Sequence, residues 1–134
     1  MAKFRAWDEE NREMLEVHGI SFDVQGIWTK ELIDDESDGN FIFLSDVELL
    51  QSTGLKDKNG VEIFEGDVVK TKYGEHGRHI GVVKYGGAKF YSNGVKQYLS
   101  WHEDLNGLFE IIGNQFEHPY LLEGDNEWNN SQFG

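Results

Sequence analysis

Apolar and polar residues alternate with period two in several short stretches of this chain, the pattern of strands half-buried against a core. Phe4-Arg5-Ala6-Trp7 is the first. Asp8 to Arg12 is polar and turn-forming, and Glu13 to His18 reads as the returning strand of an opening hairpin. A helix over residues 8–17 with Asp8 as N-cap competes with it. The absence of apolar residues before Met14 leaves that helix no buried stripe, so the hairpin is favoured. Ile20, Phe22 and Val24 alternate with polar residues and predict a strand over 20–25 with all three on one face, which Trp28 to Ile33 would extend. After a charged loop over 34–40 come a short buried strand, Phe41 to Leu44, and a stretch over 45–51 that suits a strand or one helical turn.

The second half is denser in turn signals. Lys58-Asn59-Gly60 and Glu65-Gly66-Asp67 flank a short apolar stretch and lead into a β-branched strand from Asp67 to Tyr73. Gly74 to Gly77 turns that strand, and Arg78 to Tyr85 returns. Gly86-Gly87 predicts a tight turn before a strand over 88–92. Asn93-Gly94 predicts a two-residue hairpin into a strand over 95–101, because both residues tolerate positive φ. Leu108 to Gly113 predicts a last buried strand. Short strands spaced about 8–12 residues apart are the rhythm of a small antiparallel barrel or sandwich.

Composition narrows the class. The chain has 134 residues, enough for a real core, with 13% aromatic residues that bury large areas. Sixteen Gly against one Pro fit many tight turns. The absence of Cys excludes disulfides and thiolate metal sites and is compatible with a reducing cytoplasm. No apolar run approaches the roughly 18 residues of a membrane helix, and the first residues lack the apolar core of a signal peptide. The expected location is therefore the cytoplasm, away from membranes.

The net charge of −13 is unevenly spread. Residues 1–53 carry 4 Lys/Arg against 13 Asp/Glu, residues 54–96 carry 8 against 5, and residues 97–134 carry none against 7. A mildly basic middle thus lies between acidic arms. Strong negative charge disfavours general nucleic-acid binding without excluding it.

Three blocks of sequence carry a resemblance. They are Lys3-Phe4-Arg5-Ala6-Trp7-Asp8 with Met14 beyond; Gln51 to Gly60 (Gln-Ser-Thr-Gly-Leu-Lys-Asp-Lys-Asn-Gly), continuing through Ile63 to Val69; and Glu110-Ile111-Ile112-Gly113-Asn114 with Glu117 to Leu122 behind it. On these residues the chain resembles the YopX family of phage and prophage proteins of Gram-positive bacteria. Ser52, Phe64 and Gln115-Phe116 depart mildly from its pattern. The resemblance implies a mainly β fold with an SH3-like small barrel. The expected organisation is an N-terminal β extension with an acidic loop over 1–52, the barrel over 53–114, and a C-terminal segment with a polar tail over 115–134. The resemblance also implies oligomer formation and assigns no activity.

The chemistry-bearing residues point away from catalysis. His76 and His79 stand three apart with only Glu75 beside them, short of a metal's ligand set, and read as solvated turn residues. His102-Glu103-Asp104 and His118 have the same status. Asp34, Asp35, Glu36 and Asp38 lack the alternation of a calcium loop. Glu65-Gly66-Asp67 reads as a structural turn in which Asp67 bonds nearby backbone N–H groups. No catalytic residue, metal ligand or cofactor is expected. The candidate interaction surface is the basic, aromatic middle: Lys70, Lys72, Tyr73, Lys84, Tyr85, Lys89 and Tyr91. Alternation would place most of its lysines outside and its aromatics inside. The expected partners are a second copy of the chain or a host or phage protein, with a nucleic-acid role, by DNA mimicry or weak direct binding, as the alternative.

Overall fold

The computed structural model describes residues 3–29 and 41–123. The acidic loop over 34–40, the stretch 30–33 and the tail from residue 124 onward, with Trp128 and Phe133, lie outside the described residues. The fold is mainly β. The chain divides into two compact units, Met1–Ser52 and Thr53–Gly134.

In the first unit, β1 (Phe4–Asp8) pairs antiparallel with β2 (Glu13–Glu16) and with the first half of β6 (Val47–Lys56), Ala6 facing Leu15 on one side and Leu49 on the other. The opening hairpin is thus formed and the competing helix is not. Asp8 is nevertheless a cap: its carboxylate accepts the backbone N–H groups of Glu10 (3.0 Å) and Asn11 (3.2 Å) and the Asn11 side-chain amide (2.9 Å), closing the turn. The hydrogen bonds from Asn11 hold that carboxyl below its usual pKa. The remaining strands, β3 (Gly19–Ser21), β4 (Gly26–Trp28) and β5 (Phe41–Phe43), form a three-stranded sheet, and the Phe41 ring lies where a side chain at Gly26 would be.

The expected strand over 20–25 holds only for Ile20 and Ser21 in β3, and residues 22–25 form a hairpin turn instead. The Val24 N–H donates to Ser21 Oγ (3.3 Å), Gln25 takes a φ of 54°, and the chain reverses between β3 and β4. The alternation of Phe22 and Val24 therefore does not mark a buried face, and they stand 70% and 54% exposed. The uncertain stretch after Phe43 has both expected features in succession, a 3₁₀ turn over Leu44–Asp46 and then β6.

The second unit is built on a curled five-stranded antiparallel sheet, as in a small all-β barrel. Its order is β11 (His102–Asp104), β10 (Lys89–Gly94), β9 (Gly77–Gly86), β8 (Asp67–Gly74), β12 (Glu110–Asn114). Beside it the end of β6 meets β7 (Glu62–Phe64), where Thr53 Oγ1 donates to the Ile63 carbonyl (2.8 Å). Three apolar doublets organise the core: Val68-Val69, Val82-Val83 and Ile111-Ile112. Neighbouring residues on a strand point to opposite faces. Val69, Val83 and Ile111 accordingly pack with Ile63 and Phe109 in one cluster, while Val68, Val82 and Ile112 pack with Val95, Leu121 and Leu122 in another. β8 and β9 are buried on both faces where their doublets lie, as continuous apolar runs require, while Ile111 and Ile112 on β12 are half-buried.

Asn93-Gly94 does not form the expected hairpin. Both residues stay in β10, paired with Val82 and Gly81, and the chain turns later through a 3₁₀ segment over Lys96–Tyr98. The positive φ values fall on Lys96 (59°) and Ser100 (78°). Gly94 serves close approach instead: its N–H donates to the Trp101 carbonyl (2.8 Å), and a Cβ there would overlap the Tyr98 carbonyl. The strand expected over 95–101 is consequently this turn, and the following strand, β11, is short. The β9–β10 turn sits one residue later than expected, on Gly87 (φ 59°) and Ala88 (φ 69°). Among the described residues no helix is long and apolar enough to cross a membrane.

Candidate functional site

The doublets of β8 end at Val69, after which Lys70 and Lys72 point outward while Thr71 is buried between them. Ile80 on β9 lies opposite Lys70, so Arg78, two residues earlier, belongs to the same face. The register of β8 and β9 shifts between Thr71 and Gly74, a bulge that bends the end of the strand. Leu108 and Glu110 approach at the start of β12. Together with Lys58 and Tyr73 these residues line a cleft of about 450 Å³.

Four cations, Lys58, Lys70, Lys72 and Arg78, face one carboxylate, Glu110, leaving a formal charge of +3 on the walls. Lys58 Nζ lies 3.5 Å and Lys70 Nζ 4.0 Å from Glu110 Oε1. Tyr73 and Leu108, 68% and 51% exposed, supply uncovered apolar surface beside the charges. The cleft can hold an anion next to an apolar group.

Asp57 places Lys58 there. Its buried carboxylate accepts the N–H groups of Asn59 and Val61 (2.9 Å each) through Oδ1, and that of Ile111 (3.1 Å) through Oδ2. The Lys58 N–H donates to the Phe109 carbonyl (2.8 Å). The turn is thereby laced to the outer edge of β12, and the Lys58 side chain reaches Glu110. Burial of Asp57 would raise its pKa, but the hydrogen bonds from Val61, Ile111 and Asn59, together with Lys58, outweigh burial and lower it.

Of the residues expected to form an interaction surface, Lys70, Lys72 and Tyr73 converge on this cleft. Lys84, Tyr85, Lys89 and Tyr91 lie outside it. Lys84 faces Tyr91 across β9 and β10, Tyr85 stacks edge-on against Phe90 (4.8 Å), and Lys89 pairs with Asp104 (2.7 Å). Lys89 and Tyr91 instead border a broad open depression with Glu75, His102, Glu103 and Asp104. The expectation that these aromatics turn inward fails for Tyr73, 68% exposed, and for Tyr85, 56% exposed, and Tyr91 is half-buried. Sequence reasoning missed Lys58, Arg78, Ile80 and Leu108. Alternation along β9 would have grouped Arg78 with Ile80, but only the strand pairing brings them to Lys70.

His79 corrects another expectation. It is not a solvated turn residue but a core one, 1% exposed on β9. Its Nε2 lies 2.9 Å from Ser92 Oγ, its Nδ1 has no hydrogen-bond partner among the described residues, and its ring packs near Tyr98 and Phe109. Burial pushes its pKa down against the opposing pull of Glu103, so the ring is neutral. His76 is exposed and lies against the Trp101 ring (5.0 Å), apart from His79. Among the described residues no three His, Cys, Asp or Glu gather as a metal site would need. Asp67 is structural: its buried Oδ2 accepts the Phe64 N–H (2.8 Å).

Comparison with known proteins agrees with this architecture. The chain is similar to a solved protein, the crystal structure of protein EF1440 from Enterococcus faecalis, at 32% identity and a TM-score of 0.66, over 92% of this chain and 99% of that one. No match is found among curated proteins. The sequence profile described as YopX protein matches residues 3–123, nearly the whole chain, and the protein therefore belongs to the YopX family.

Proposed function

We propose that this chain is a non-catalytic binding module of phage or prophage origin, acting in the host cytoplasm by engaging another protein, either a host or phage protein or a second copy of itself. The observation that carries this reading is the uncovered cleft on the second unit, with its excess of cations beside exposed Tyr73 and Leu108. Its one carboxylate, Glu110, is already engaged by Lys58 and Lys70, which favours binding over proton transfer. The test is affinity capture from lysates of a Gram-positive host, with and without phage induction, with the protein's own mass measured by light scattering. A stoichiometric complex or a defined self-oligomer is the expected result. A monomer at high concentration that retains no partner refutes the proposal.

A second reading rests on the same four cations beside exposed Tyr73, a combination that suits single-stranded nucleic acid. Residues 53–134, the unit that carries the cleft, hold 8 Lys/Arg against 12 Asp/Glu, which works against an extended polyanion. A salt-sensitive shift of short oligonucleotides would establish this reading, and its absence at low salt would remove it.

A further inference from the structure

The cleft lies where a strand is missing. β12 begins at Glu110, opposite Lys70, whereas β8 continues to Gly74. Before Glu110 the chain turns away: the Leu108 N–H donates to Asn106 Oδ1 (2.8 Å) and the Phe109 N–H to the Asn106 carbonyl (3.4 Å). Among the described residues no strand pairs with the β12 side of β8 over Thr71 to Tyr73. The walls of this gap carry the +3 charge, and Leu108 and Tyr73 stand beside it. Lys72 and Arg78 have no carboxylate within ion-pair distance among the described residues, unlike Lys58 and Lys70.

We propose that the cleft binds an extended acidic segment of a partner protein, laid beside β8 over Thr71 to Tyr73, just beyond the end of β12, as a short added strand. This rests on the reading above and gives its binding site and ligand chemistry. A strand rises about 3.3 Å per residue and repeats its faces every second residue. Lys70 and Lys72 therefore present cations roughly 7 Å apart on one face. A complementary segment carries carboxylates at positions i and i+2, and an apolar side chain that settles against Tyr73 and Leu108. Edge addition of this kind takes register from the backbone and specificity from alternate side chains. The competing account is that Lys70 and Lys72 merely blunt an open edge against aggregation.

Fluorescence anisotropy on the full chain tests the proposal with three short labelled probes: a peptide with a Glu-Phe-Glu centre, an isomer with Glu-Glu-Phe, and an oligothymidylate. The expected result is saturable binding of the first peptide, weaker binding of its isomer, and a loss on the order of 10-fold on combining Lys72→Glu with Arg78→Glu. Lys84→Glu, on the same sheet but outside the cleft, controls for a charge reversal elsewhere on the sheet and should leave binding unchanged. Unfolding curves of the double variant establish that it is folded, and Tyr73→Ala supplies an uncharged second variant that should also weaken binding. Failure of the first peptide to bind, equal binding of the two isomers, an equal loss in Lys84→Glu, or tighter binding of the oligothymidylate overturns the proposal. If a protein complex is captured by wild type and equally by the double variant, the binding-module reading stands and this assignment of its site fails.

Discussion

Replacing Asp57 by Asn should cost far more than its size suggests. Asp57 Oδ1 accepts from Asn59 and Val61, and an amide oxygen can keep both bonds. Oδ2 accepts from the Ile111 N–H, and Asn would set an NH₂ donor against that donor. One charge-assisted bond is lost and a partly buried N–H is stranded, worth about 2–3 kcal/mol together. The acid limb adds a second signature. The folded-state pKa of Asp57 is lowered from 3.8, so its contribution is complete above that value and is lost as pH falls through the folded pKa. Urea unfolding followed by tryptophan fluorescence at neutral pH and at successive acid steps measures both. The expected outcome is a stability loss of about 2–3 kcal/mol for Asp57→Asn at neutral pH, with a shallower acid decline than wild type. A loss within about 0.5 kcal/mol of wild type would refute the view that this carboxylate laces the turn to β12.

Three further outcomes follow from the same geometry. Ala88 sits at φ 69° in the β9–β10 turn, so Ala88→Gly should raise stability by about 0.5–1 kcal/mol, read as a higher urea midpoint. A Cβ at Gly81 would overlap Ser92 Oγ and the Asn93 backbone, so Gly81→Ala should lower stability by about 1–3 kcal/mol. Buried His79 has a folded pKa lowered from 6.5, so its contribution is complete above pH 6.5 and is lost as pH falls below it toward the folded value. Unfolding free energy should therefore decline by up to about 1.4 kcal/mol per pH unit in that window. The double variant His79→Leu with Ser92→Ala should abolish that slope, and an unchanged slope would assign it to another group.

The β class, the opening hairpin and the strands over 67–73 and 78–85 were legible because alternation and turn residues act locally. The misreadings share one cause. Phe22 and Val24 alternate correctly but sit in a turn that pairing of β3 with β4 imposes. Gly94 is glycine because the Tyr98 and Trp101 carbonyls crowd it, a tertiary demand that looks identical in sequence to a hairpin signal. His79 reads as polar yet lies in the core with its Nε2 at Ser92 Oγ, the atom that takes up the space a side chain at Gly81 would need. The three family blocks failed to mark a site for a related reason. Asp8, Asp57, Asp67 and Asn114 each accept backbone N–H groups at a turn, so the signature encodes how the chain is folded. The cleft was only half legible because Lys58 and Leu108 reach Lys70 and Lys72 through pairings across some fifty residues of chain.

Charge decides what size of ligand the cleft admits. At physiological salt the Debye length is about 8 Å, so a short acidic segment lying within the cleft senses mainly the +3 of its walls. A long polyanion cannot confine itself to that distance. It also meets the remaining surface of a chain whose net charge is −13. Raising salt should therefore weaken binding of the short acidic peptide, because the attractive charges are the near ones. For an extended anion the far repulsion is screened as well, and its salt dependence should be much flatter. Parallel titrations of peptide and oligothymidylate across ionic strength separate these cases. A steeper salt dependence for the oligonucleotide would mean that the cleft's field dominates at long range, and would reverse the preference for a small acidic ligand.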